Sequence, residues 1–245
     1  MATIAVAVTG DGLQVTGGGR SIQISPAGTQ SRRERVTVWS SRVEAAVYGD
    51  EVNEFFSEAM GTKVRLVTMT EARRPVNYWY RVHKGDHVSF ADGYPVLVIS
   101  EASLEALNRR ILVAQPNFSY PNSGENDISA THADVHAGPM AIPMNRFRPN
   151  LVVKGSEPFA EDTWKRVRIG DAIFHVVKPC ARCPIPTIDQ ETGVRHSSEP
   201  TRTLATFRQV RRAGKNKILF GQNLIADEAG GAVRVGDEVE VLETR

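Results

Sequence analysis

Short apolar runs rich in β-branched residues recur along this chain, most of them bounded by Gly, Asp, Ser or Pro. They fall at residues 4–8, 13–16, 21–24, 36–39, 43–47, 64–68, 96–99, 151–153, 167–169, 172–177, 218–220, 224–226, 232–235 and 238–242, none longer than six residues. Runs this short suit strands between turns rather than helices. Two helical patterns interrupt them. Across residues 51–60, Val52, Phe55, Phe56 and Ala59 share a face at i, i+3, i+4 and i+7, and Gly61 is a stop signal. Residues 100–110 read as a second helix. Ser103 stands where a capping box would need Glu, so its start is open between Ser100 and Ser103.

Residues 73–87 read as a polar linker rich in Arg and aromatics, and Ser89-Phe-Ala-Asp-Gly-Tyr-Pro95 as a turn. Residues 115–145, rich in Pro, Asn, Ser and Gly, read as one long irregular loop. Arg168-Ile-Gly-Asp171 and Arg234-Val-Gly-Asp237 repeat a Gly-Asp turn between short strands, as small barrels do. The expectation is a mainly β fold with some α (α+β). A length of 245 residues makes one large domain or two small ones.

At 41% hydrophobic and 24% charged the chain has ordinary globular composition. Its net charge is +2, and the basic residues are dispersed, with only Arg208-Gln-Val-Arg-Arg212 clustered. No nucleic-acid partner is expected. No run approaches the ~20 apolar residues of a membrane segment. The first residues lack a basic n-region and read as a strand, so a reducing cytoplasm is the default location.

The two cysteines, Cys180 and Cys183, stand in Val176-Val-Lys-Pro-Cys-Ala-Arg-Cys-Pro-Ile-Pro186. A thiolate is a soft metal ligand and a nucleophile, and an adjacent cation such as Arg182 favours it. Small buried cysteines also pack well in cores, so functional and structural readings both stand. A dithiol switch is disfavoured, because the pair follows a strand and precedes prolines instead of opening a helix. His132 and His136 have i, i+4 spacing but lie in the irregular loop without a zincin Glu. His83, His87 and His196 read as surface residues, and His175 as a satisfied strand residue. Arg146-Phe-Arg148-Pro-Asn150 suits a phosphate or a polar heterocycle, since Arg binds phosphate bidentately. Phe220-Gly-Gln-Asn-Leu224 offers a glycine for close backbone approach and two amides.

Together these segments are specific. The order Ser89-Phe-Ala-Asp-Gly-Tyr-Pro95, Ser100-Glu-Ala-Ser-Leu104, Arg148-Pro-Asn-Leu-Val-Val153, Phe159-Ala-Glu-Asp-Thr-Trp164, Arg168-Ile-Gly-Asp171, Lys178-Pro-Cys-Ala-Arg-Cys183, Phe220-Gly-Gln-Asn-Leu224 and Val235-Gly-Asp-Glu-Val239 resembles the MOSC superfamily. The likeness runs from about residue 36 to residue 245, closest to the branch of the mitochondrial amidoxime-reducing component and its bacterial counterparts. It implies a MOSC-type β-barrel over residues 73–245, preceded by a partial MOSC N-terminal β-rich domain over residues 1–72.

The resemblance further implies a molybdenum cofactor (molybdopterin with Mo), with Cys183 as metal ligand. Arg148, Asn150, Arg182 and Asn223 would bind the cofactor, Asp92 would lie near the metal, and Cys180 would have no ligand role. Pyridoxal phosphate binding is a looser attribute of MOSC domains. The implied activity is reduction of small N-hydroxylated compounds, hydroxylamines and amidoximes. Electrons would come from a separate donor protein, ferredoxin-like, flavoprotein or cytochrome b5-type. The alternative is a cofactor-binding or carrier protein without turnover. The family's leading strand with its Pro-Val-Lys-Ser motif has no counterpart here, which leads to the expectation of a truncated front.

Overall fold

The computed structural model describes residues 3–25, 32–70, 73–114, 141–212, 214–227 and 230–245. Strands β1 (Ala5–Thr9), β2 (Gly12–Gly17) and β3 (Arg20–Ile24) form an antiparallel meander. A second three-stranded sheet joins β4 (Arg32–Val38), β5 (Ser41–Val47) and, after helix α1 (Asp50–Met60), β6 (Val67–Met69). The predicted apolar face of α1 puts Val52, Phe55 and Phe56 against Val15, Ile24 and Tyr48. Gly61 ends the helix in the left-handed conformation, φ 65°. β6 starts later than the apolar run suggests, because α1 side chains take the backbone before it. Ser57 Oγ accepts from Val64 N at 3.0 Å and Asn53 Oδ1 from Leu66 N at 2.9 Å.

Residues 73–88 are no simple linker. They hold the two-stranded pair β7 (Arg74–Pro75) and β8 (His87–Val88), and Val76 and Val88 are buried beside Ile225. β9 (Val96–Ser100) then leads into α2 (Glu101–Val113). The open question of its start is settled at Ser100, whose Oγ accepts from Ser103 N at 3.0 Å. The buried Glu161 carboxylate accepts from Ser100 N, Ser100 Oγ and Ser103 Oγ, which fixes that cap to the sheet.

The remaining strands are β10 (Leu151–Val153), β11 (Trp164–Ile169), β12 (Ala172–Arg182), β13 (Gln209–Arg212), β14 (Lys215–Ala226) and β15 (Val239–Thr244), with α3 (Thr201–Phe207) before β13. The large sheet runs β10-β9-β14-β12-β11-β15, with β13 on β14, and curls into a half-barrel. β10 pairs parallel with β9, and the other pairs are antiparallel. The fold is thus mainly β with some helix, as its sequence predicts. Adjacent residues of β9 serve two cores: Val98 packs with Val167, Phe174 and Leu224, and Ile99 with Leu107, Phe147 and Phe220.

Two apolar runs merge into β14 around Gly221, φ 79°. A Cβ there would sit 2.7 Å from Ile99 Cγ1 and 2.9 Å from Val98 O, so β9 and β14 approach this closely only with glycine. The expected strand at residues 232–235 is instead a turn. Arg234 N donates to Asp237 Oδ2 at 2.7 Å, and Ala232 O accepts from Asp171 N at 3.2 Å. The two Gly-Asp turns therefore pack on each other. α3 has only two large apolar side chains and escapes a periodicity reading. Its first turn is held by the buried Glu199, which accepts from Thr203 N and Arg202 Nε. His132 and His136 lie outside the described residues, as does most of the expected loop. Its described end packs inward, with Ile142 buried and Met144–Phe147 a 3-10 turn. Among the described residues no helix is long and apolar enough to cross a membrane.

Candidate functional site

β12 carries the cysteine motif. It is irregular between Val176 and Lys178 and again between Pro179 and Ala181, which is how a central strand accommodates a proline that has no N–H to donate. Cys180 and Arg182 are the same parity in the strand, and Arg182 Nη1 donates to Cys180 Sγ at 3.2 Å. Adjacency in sequence sets Arg182 against Cys183, but the strand does not. Cys183 instead lies one residue past the strand as an exposed free thiol, before the 3-10 turn Ile185–Thr187. Cys180 is also a free thiol and half-buried.

Arg182 joins this strand to the Arg-Pro-Asn segment. Its Nη2 donates to Phe147 O at 2.7 Å, its guanidinium lies 5.3 Å from the Phe147 ring centroid, and its Nε is buried without a hydrogen-bond partner. Arg148 follows immediately in the left-handed conformation, φ 53°, with an exposed side chain. Arg146 is unavailable to a ligand: it is buried and paired with Asp189 at 2.7 Å. Backbone N–H bonds from Thr192 first, then from Glu191, hold Asp189 down at about 2, with hydrogen bonding by the Thr192 hydroxyl and the Arg146 charge adding to the effect. Asn150 spends its Oδ1 on Leu97 N, at 2.9 Å, while its own N–H donates to Leu97 O. Asn223 pairs with the same Leu97 across β9–β14 and with Lys178 across β14–β12, where its Nδ2 donates to Lys178 O at 3.2 Å. Asn150, Leu97, Asn223 and Lys178 therefore form one row across the sheet.

The Asp92 turn reaches this row through Tyr94. Lys178 Nζ stands 4.6 Å from the Tyr80 ring centroid and 5.7 Å from that of Tyr94. Burial, then the neighbouring Tyr80, pushes the Tyr94 phenol up to about 12, so it keeps its proton. Asp92 itself is exposed. Its turn is built on Arg74, a buried arginine that donates to Ser89 O, Ala91 O and Asp92 O at 2.8–2.9 Å. Arg74, Lys178, Tyr80 and Tyr94 were not singled out as site residues from sequence. Lys178 adjoins the cysteine motif, but nothing local marks Arg74.

Three of the motif segments thus meet on one stretch of sheet: the Asp92 turn, Arg148 to Asn150, and Lys178 to Cys183. The pattern of MOSC domains matches residues 85–240, which contains all three. The chain belongs to the MOSC-domain family. The chain is 34% identical over 222 residues to the molybdenum cofactor sulfurase of Oryza sativa subsp. japonica, covering 84% of this chain and 24% of that protein. It is 33% identical over 174 residues to human mitochondrial amidoxime-reducing component 1, covering 69% of this chain and 43% of that protein. The mouse component is 37% identical over 161 residues, covering 64% of this chain and 39% of that protein. The chain spans less than half the length of each of these relatives.

The donor set of this MOSC domain suits a molybdenum cofactor. A soft metal bound to an anionic phosphorylated pterin calls for an accessible thiol and several cations. Cys183 is such a thiol, Arg148 projects into solvent, and the buried, unpartnered Nε of Arg182 leaves that guanidinium with unused capacity.

Proposed function

We propose that this protein binds a molybdenum cofactor at the Lys178–Asn223–Arg182 face and reduces small N-hydroxylated compounds, hydroxylamines and amidoximes. The observation that supports it most is the Arg182–Phe147 bond, which ties the cysteine strand to the turn presenting Arg148. The relatives named for amidoxime reduction support the same chemistry. A bound molybdenum cofactor supplies the two-electron chemistry that cleaves an N–O bond. In balance, R–NHOH takes up two electrons and two protons and becomes R–NH2 and water. With electrons drawn from a separate donor protein, ferredoxin-like, flavoprotein or cytochrome b5-type, the chain itself supplies binding, orientation and protons.

In this reading Cys183 is the metal ligand and Arg148 and Arg182 hold the anionic cofactor. Asn223, whose Nδ2 is engaged, offers its side-chain oxygen as an acceptor, and Asn150 aligns the Arg148 turn on β9. Asp92 is the second catalytic residue of this reading, on a turn that Arg74 holds. Two free thiols suit a reducing cytoplasm.

The second reading is a cofactor-binding or carrier protein without turnover. It is favoured by the likeness to the rice sulfurase, which covers 84% of this chain against 69% for the human amidoxime-reducing component. Expression in a host that makes the cofactor, followed by molybdenum analysis and benzamidoxime reduction with reduced viologen, separates the two. Stoichiometric molybdenum with turnover supports the reductase; molybdenum without turnover supports the carrier. Cys183→Ser should abolish molybdenum-dependent turnover while Cys180→Ser keeps most of it. Equal loss in both would replace this assignment with a dithiol mechanism.

A further inference from the structure

His83, His175 and Asp227 come together from three separate segments, and we propose that they form a binding site for a divalent first-row transition metal, zinc foremost. Among the described residues they are the one group of three or more His, Cys, Asp or Glu side chains whose ligand atoms all lie within 4.8 Å of one another. His175 is in β12 opposite Ile225 of β14. Asp227 follows the end of β14, and its amide donates to Ile173 O at 2.8 Å. His83 lies between the 3-10 turn Tyr78–Tyr80 and β8. No spacing in the sequence announces this set: the sheet register joins His175 to Asp227, and the segment carrying His83 packs beside Ile225.

The geometry is that of ligands, not of a hydrogen-bonded triad. Asp227 Oδ1 is 3.6 Å from His83 Nε2, and Asp227 Oδ2 is 3.6 Å from His175 Nε2, both too long for hydrogen bonds. The two rings stand edge to face, 5.9 Å between centroids. His175 Nε2 is buried without a hydrogen-bond partner, so His175 is not the satisfied strand residue its sequence setting suggests. Tetrahedral zinc with bonds of about 2.0–2.1 Å separates its ligand atoms by about 3.3 Å, so a set whose ligand atoms lie within 4.8 Å of one another closes onto the ion by side-chain rotation.

His83 is also oriented from behind. Asp86 Oδ2 accepts from Val82 N and His83 N, and Asp86 Oδ1 faces His83 Nδ1 at 3.4 Å. His83 Nδ1 itself makes no hydrogen bond, and Asp86 is the carboxylate placed to take it up when Nε2 binds a metal, the usual support of a metal-binding histidine. Arg166 opposes a cation, its Nη2 lying 3.8 Å from Asp227 Oδ2. That guanidinium is shared with Glu243, 3.5 Å away, which reduces its claim on Asp227. Two imidazoles and one carboxylate leave at least one coordination position for water or a substrate oxygen. Tyr80 and Lys178 each lie three residues from a ligand histidine, so the metal would stiffen one wall of the cofactor face.

The test uses the full chain, stripped with a chelator, then titrated with Zn2+ by calorimetry and with Co2+ by visible absorbance. Because Cys180 and Cys183 could capture the same ions, the background carries Cys180→Ser and Cys183→Ser together. One equivalent should bind there, with Co2+ d–d bands, no thiolate charge-transfer band and a zinc-dependent rise in Tm. Asp227→Asn and His175→Gln should each weaken binding by at least about tenfold, and Asp86→Asn by about tenfold. Binding undiminished by Asp227→Asn and His175→Gln, or no saturable binding in the thiol-free background, overturns the proposal. If either ligand variant fails to fold by circular dichroism, the Co2+ spectrum of the thiol-free chain decides, and absent d–d bands overturn it.

Discussion

Arg74→Met isolates the support of the Asp92 turn. The change keeps an apolar stem in a site where Arg74 is 4% exposed, and deletes three charge-assisted bonds to Ser89 O, Ala91 O and Asp92 O. Orphaned buried carbonyls cost about 1–3 kcal/mol each, and deletions within one network do not add. Ser89, Ala91 and Asp92 are exposed, so water can reach much of what the guanidinium leaves. The expected loss of stability is therefore about 2–3 kcal/mol. At about 2–4 °C per kcal/mol for a chain of this size, Tm should fall by about 4–12 °C. Urea denaturation followed by circular dichroism measures the first quantity and a thermal scan the second. Turnover, assayed well below the lowered Tm, should drop about tenfold or more at unchanged molybdenum content, because Asp92 is displaced while the thiol and arginines are not. Arg74→Lys should fall between, since one ammonium cannot span three carbonyls. Stability within about 0.5 kcal/mol of the wild type would refute the anchoring. Turnover that falls only in step with molybdenum content would refute Arg74 as a positioning residue.

Arg148→Ala should lower cofactor affinity roughly ten- to hundredfold, the worth of one charge-assisted phosphate contact, and molybdenum per protein after purification reads it directly. Unchanged content would move the anion site elsewhere. Asp189 predicts an acid-sensitive hold on the segment after Cys183, chiefly on the Thr192 and Glu191 N–H groups and, less, on Arg146. Its folded value of about 2 lies below the ordinary 3.8, so its contribution is complete above about pH 4 and is lost as pH falls toward 2. Asp189→Asn should flatten that part of the acid-denaturation curve, and an unaltered curve would dismiss the hold.

The sequence was most readable where local periodicity decides structure. The face of α1 follows from its i, i+3, i+4, i+7 spacing and Gly61, the strand character of the large sheet from short apolar runs between turn residues, and the motif order points to the MOSC family. Residues 73–88 misled because their order comes from afar. Arg74 finds its acceptors in the Asp92 turn, and Val76 and Val88 are buried against Ile225 of β14. The same holds for His83, His175 and Asp227, which share no spacing: the pairing of β12 with β14 joins the last two, and the packing of Val76, Val82 and Val88 beside Ile225 brings His83 to them. Propensity also cannot see that Ser57 and Asn53 take the backbone of Val64 and Leu66 before a strand can form there.

The choice between the two thiols shows how strand parity adds to a motif. Cys-x-Arg-Cys puts the arginine next to the second cysteine in sequence, which invites pairing them. In an extended strand neighbours point to opposite faces, and residues two apart share one. Arg182 is therefore on the side of Cys180, and the 3.2 Å bond follows. That bond engages the Cys180 sulfur with a guanidinium that also holds Phe147 O. Cys183, released from the strand and exposed, keeps its sulfur clear for a metal. The proposal thus makes one cysteine the ligand and the other a brace that aims Arg182. It carries its own discriminating expectation: Cys180→Ser should retain the metal but loosen Arg182, so the cofactor dissociates faster while turnover of the loaded protein persists. A loaded Cys180→Ser protein that holds its cofactor as long as the wild type would remove the brace.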